Sequence, residues 1–251
     1  MPGKGSRPRS VPLELRWDAR SPLPVRTVQG TPIRLLPSEQ GPPWLDTGSH
    51  EQPFDFCERM RSLCAAIAEK CESLRHLDVS KMLITFTQAR NDRRHGLQAR
   101  VTPLRFREGS LTRRYRGVNF QVQRYFVDGR EILYVLSFCL PRFLNQEFDD
   151  KFVTLFHELF HIGPDFNGDL RRHEGRYDIH TSSQRRYDEQ MAELAREYLQ
   201  SRPDASRHDF LRLNFAQLQH RHESVVGVLV PRPKVVPLRD AASTSRPPSR
   251  S

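Results

Sequence analysis

Two histidines and a glutamate in the run His157-Glu158-Leu159-Phe160-His161 offer this chain its clearest chemistry. Residues four apart on an α-helix stack on one face, so the two imidazoles of an H-E-x-x-H run converge on one metal ion. Glu158, one step round, reaches a water on that ion. Zinc-dependent hydrolysis of a peptide bond needs this combination: Zn2+ as cofactor, His157 and His161 as ligands, Glu158 as general base.

Two histidines hold zinc weakly, and catalytic sites take three protein ligands and a water. His173 follows His161 after a stretch long enough for the chain to turn and come back beneath the helix, and it is the expected third ligand. His180, Glu189 and Glu193 compete with it. The longer metzincin run H-E-x-x-H-x-x-G-x-x-H is absent, because Gly163 stands one place early and Asn167 occupies the last histidine position. Arg171, Arg172 and Tyr177 lie close to the third ligand as donors for a developing oxyanion, with Tyr177 preferred.

The element that must position these groups is legible too. With Asn145 as N-cap, a helix over 146–162 places Phe148, Phe152, Leu155, Leu159 and Ile162 on one stripe. At about 100° per residue, the histidines fall nearly opposite that stripe, among Val153, Phe156 and Phe160. Such a helix lies between two layers and opens its imidazoles to a cleft. Gly163-Pro164 ends it.

The run Leu136-Ser137-Phe138-Cys139-Leu140-Pro141-Arg142-Phe143, the motif through Ile162, and then Phe166-Asn167-Gly168-Asp169-Leu170-Arg171-Arg172-His173 resemble the phage metallopeptidase family over about residues 78–202. The resemblance implies a zincin-type fold and a peptidase without a known substrate. A looser similarity is to SprT-like proteases, which also place a histidine well after H-E-x-x-H. Glu174 stands where that group prefers glycine.

The expected fold class is α+β: an N-terminal helix, a small mixed sheet, the motif helix and C-terminal helices. Cys57, Met60, Cys64, Ile67, Cys71 and Leu74 recur at helical spacing within 54–77. The three cysteines cannot share one ion, because seven residues of helix span about 10.5 Å and zinc–sulfur bonds are about 2.3 Å. Alternation predicts strands over 81–89, 99–106, 118–126 and 132–139, with a hairpin turn at Asp128-Gly129. The stretch 132–140 is the expected edge strand lining the cleft. Further helices follow over 187–198 and 210–220, and an apolar run over 225–230.

Residues 1–50 and 231–251 are rich in Pro, Ser and Arg and read as disordered basic tails around a domain over 51–230. Residues 1–26 and 231–251 within them account for +8 of the net charge of +10. Residues 90–116 carry nine arginines against two acids, a surface that could face phosphates, although a solvated face of hairpins is the favoured reading. A polypeptide is the expected partner, and nucleic acid is the alternative. A metal-stabilised protein without turnover is a third reading, against which the intact Glu158 argues. Four cysteines without paired spacing, no signal peptide and no long apolar run point to a cytoplasmic protein away from membranes.

Overall fold

The computed structural model describes residues 13–18 and 21–28 by their backbone, and residues 53–89, 96–171 and 184–238. Strands β1 (Leu13–Asp18), β2 (Ser21–Val28) and β3 (Phe54–Asp55) precede helix α1 (Phe56–Lys70). Seven strands follow: β4 (Met82–Gln88), β5 (Ala99–Pro103), β6 (Thr112–Tyr115), β7 (Val118–Val122), β8 (Tyr125–Val127), β9 (Arg130–Ile132) and β10 (Tyr134–Leu140). Helices α2 (Phe148–Phe160), α3 (Gln184–Gln200) and α4 (Phe215–His222), then β11 (Val225–Val226) and β12 (Val235–Pro237), complete a mixed α+β chain.

The sheet that frames the motif helix has the order β4-β10-β5, with β10 parallel to β4 and antiparallel to β5. This corrects the expected edge: β10 is the central strand, and β5 is an edge. The reason is visible in composition. Tyr134–Leu140 is an almost unbroken apolar run, as befits a strand covered on both faces, whereas Ala99–Pro103 alternates and ends on a proline that cannot donate to a ladder.

Alternate residues of the sheet feed two cores. Ile84, Phe86, Leu136 and Phe138 join Phe56, Met60, Phe152 and Phe156 in the larger cluster. Leu83 and Val135 point the other way, to Leu104, Val122, Tyr125 and Ile132. The α1 stripe is fully committed to the first core, with Phe56, Met60, Leu63, Cys64 and Ile67 at 0 % exposure, and Asp55 caps it by accepting the Glu58 N–H. All four cysteines are free thiols, and burial pushes those of Cys57 and Cys64 up to about 12. They behave as small hydrophobes.

Three strands fall where composition predicts a disordered tail. β1 pairs with β2, and β2 extends the β8–β9 hairpin; β12, beyond residue 231, pairs with β7. Leu13, Leu15 and Trp17 alternate with Glu14, Arg16 and Asp18, a period-two signal masked by the surrounding prolines and arginines. The Asp128-Gly129 turn is as expected: both residues have positive φ, at 50° and 75°, between the paired Val127 and Arg130. That geometry suits a two-residue hairpin.

Helix α2 begins later than predicted, at Phe148 with Glu147 in the cap position. The Asn145 side chain instead accepts the Phe215 N–H at 3.2 Å, tying the α2 entry to α4. Lys151, 2 % exposed, anchors the same helix by donating to the carbonyls of Leu211 and Leu213 at 2.7 and 2.9 Å. A buried ammonium needs such acceptors, or its desolvation is uncompensated.

Candidate active site

Three residues of the motif are brought to one place. His157 and His161 aim their Nε2 atoms at each other, 2.9 Å apart, from the last turn of α2 and its C-cap. Zinc–nitrogen bonds of about 2.0–2.1 Å in a tetrahedral site separate two ligands by about 3.3 Å, so the pair fits a metal after opening by a few tenths of an ångström. Among the described residues, no group of three His, Cys, Asp or Glu stands in metal-ligand arrangement. His173, His180 and Tyr177, and likewise Arg172, lie outside the described residues.

Glu158 faces the edge of the sheet. Its Oε2 accepts the Val101 N–H of β5 at 2.6 Å. An edge strand leaves alternate N–H groups unpaired, and this carboxylate takes one of them. Burial pushes the Glu158 carboxyl up to about 7, against the opposing pull of the Val101 N–H and of Arg100. A carboxylate with that affinity can accept and return a proton near neutral pH.

Helix α3 completes the other side. Tyr187, 5 % exposed, sets its ring edge-on to His157 at 4.9 Å and stacks it on His161 at 5.7 Å. Its hydroxyl donates to the His157 carbonyl at 3.5 Å. Asp188 places a carboxylate oxygen 3.5 Å from His157 Nδ1, the ring nitrogen remote from the Nε2 pair. A carboxylate there fixes the ring's orientation and makes Nε2 a better ligand. The sequence places Tyr187 on the expected helix over 187–198 and singles out neither Asp188 nor Val101. The adjacent pair Tyr187-Asp188, on the expected helix, was the only signal for the first two, and Val101 had none.

Glu189 and Glu193, the competing carboxylates, are exposed on α3, and Glu193 pairs with Arg196. Arg171 is held away from an oxyanion role. Its Nε donates to the Phe160 carbonyl at 2.9 Å and its guanidinium lies 4.0 Å over the Phe160 ring. A groove of about 460 Å³ is lined by His157, Glu158 and Asp188 and runs along α2 and the start of β5, past Val153, Thr154, Leu97 and Ala99.

The predicted arginine surface divides. Arg105 is clamped with Arg124 on Glu131, and Arg107 pairs with Glu108. Arg113, Arg114 and Arg116 stay exposed on and beside β6, while Arg90, Arg93 and Arg94 lie outside the described residues. No helix among the described residues is long and apolar enough to cross a membrane. Compared with protein-family models, with curated proteins and with solved structures, the chain finds no match in any of the three.

Proposed function

We propose that the chain is a zinc-dependent peptidase with a zincin-like architecture, of the kind its resemblance to phage metallopeptidases implies. What carries this reading is the convergence of His157 Nε2 and His161 Nε2 beside a buried Glu158 that reaches the sheet's edge strand. His157 and His161 would hold the metal, with His173 as third ligand. Arg171, two residues earlier, donates its N–H to the His161 carbonyl at 2.7 Å. From there two residues of chain span up to about 7 Å, a reach that matches the distance from a helix backbone to a metal held by its imidazole.

When bound, zinc supplies a Lewis acid that makes water acidic near neutral pH and polarises a carbonyl. Glu158 takes the proton from the attacking water and returns it to the leaving amine. Its Val101 contact holds the carboxylate toward the strand along which a polypeptide lies. Asp188 and Tyr187 keep the two imidazoles in register from behind. Tyr177 is the proposed donor to the oxyanion, since Arg171 is engaged elsewhere. A cytoplasmic setting suits four free thiols.

Metal analysis joined to hydrolysis of an unfolded, casein-type substrate tests the proposal. The full chain should hold one zinc per molecule and lose both metal and turnover when His157 and His161 are replaced by alanine. Turnover that survives removal of the metal would sink it.

A further inference from the structure

The loop over residues 161–171 follows α2, and one side chain from the sheet holds its centre. Tyr134, on β10 and 0 % exposed, accepts the Gly168 N–H at 2.9 Å and donates to the Asp169 carbonyl at 2.8 Å. That same carbonyl accepts the Gly163 N–H, while the Asp169 carboxylate accepts the N–H groups of Leu170 and Glu108 at 2.9 and 3.0 Å. Gly168, at φ +91°, lies so close to Arg105 that a Cβ would sit 2.4 Å from its Cγ. Only glycine fits.

The outcome of this bonding is a chain turned back on the helix that holds the histidines. Ile162 bridges Leu170, and the Arg171 N–H reaches the His161 carbonyl at 2.7 Å. β10 therefore sets two positions at once. It pairs with β5, whose Val101 N–H holds Glu158, and through the Tyr134 hydroxyl it fixes where the chain leaves His161.

We propose that Tyr134 is a positioning residue for the metal centre: its hydroxyl fixes the loop that returns through Leu170 and Arg171 to the backbone of His161 and Ile162. This rests on the peptidase reading above. It acts through Gly168 and Asp169 and touches neither metal nor substrate. A group that orients a ligand without binding the metal typically accounts for about ten- to a hundredfold in metal affinity.

Tyr134→Phe removes the hydroxyl and keeps the ring that packs on Phe166. Chelator competition should show its zinc dissociation constant raised about ten- to a hundredfold. Asp169→Asn should move in the same direction by less. Tyr125→Phe is the control, since that tyrosine is also at 0 % exposure and its hydroxyl donates to the Pro231 carbonyl at 2.9 Å, away from the loop. It should bind zinc as the wild type does. In the metal-free chain, amide exchange at Gly168 and Arg171 should quicken about tenfold in Tyr134→Phe alone. Unchanged zinc affinity in Tyr134→Phe, an equal loss in Tyr125→Phe, or unchanged exchange at those amides would each overturn the proposal. A wild-type chain that binds no zinc overturns the peptidase reading, and with it the role assigned to Tyr134, even if the exchange result holds.

Discussion

Glu158 and Glu131 are the same side chain in two regions, and the fold drives them apart. At the site, burial raises the Glu158 carboxyl to about 7, and a single backbone N–H with the more distant Arg100 does not offset it. In the β8–β9 hairpin, burial also raises Glu131, but hydrogen bonds and charge from Arg124 and Arg105 outweigh it and hold the carboxyl below its ordinary range. A carboxylate between two guanidinium groups stays charged and acts as a clamp. One buried against a lone N–H can trade protons.

The largest expected effect belongs to the first of these. Glu158→Gln should keep its zinc yet lose hydrolysis by about a hundredfold or more, because a general base is removed and no ligand is. Glu131→Gln should leave turnover within about twofold of wild type, since its disruption falls outside the site. If Glu158→Gln loses the metal, Glu158 is a ligand and the assignment of roles is wrong.

Next comes the third ligand. His173→Ala should weaken zinc binding strongly, whereas His180→Ala, Glu189→Ala and Glu193→Ala should leave stoichiometry near one, because three ligands define such a site. Equilibrium dialysis of each variant distinguishes them. An empty site in His180→Ala alone would transfer the role.

Glu131→Gln has its effect on stability instead, of about 1–2 kcal/mol once partial exposure is allowed for. The sign with pH follows from the lowered carboxyl. The contribution of Glu131 is fully present above the ordinary value of 4.5 and is lost as pH falls through the lower folded value. Denaturant curves for wild type and variant should therefore be separated at pH 7 and approach each other below about pH 4. A gap that widens on acidification would contradict the clamp.

The smallest effect is expected at the exposed arginines. Reversing Arg113, Arg114 and Arg116 to glutamate should change the affinity of the full chain for DNA by less than about threefold at moderate salt. Filter binding across a salt series decides it. Loss of a steep, salt-dependent affinity would move the reading toward a peptidase recruited to nucleic acid.

Much of this was open to reading in the chain, for a definite reason. Helical spacing is local, so the stripe of Phe152, Leu155 and Leu159 and the pairing of His157 with His161 follow from positions three and four apart. The Asp128-Gly129 hairpin is equally local. Strand order is not. Whether β5 or β10 forms an edge depends on partners 30 or more residues away, and the continuous apolar run of β10 was the one signal that could have placed it at the centre.

By itself, the sequence determined which helix carries His157, Glu158 and His161, which face of it is apolar, and that the two imidazoles share one face, because each of these is set within a few turns of backbone. Only the tertiary structure decided that Val101 supplies the N–H for Glu158, that Asp188 stands behind His157, and that Tyr134 reaches across to Gly168 and Asp169. Those contacts join residues 31 to 57 positions apart. They form only when the sheet and helices pack, so no local pattern records them.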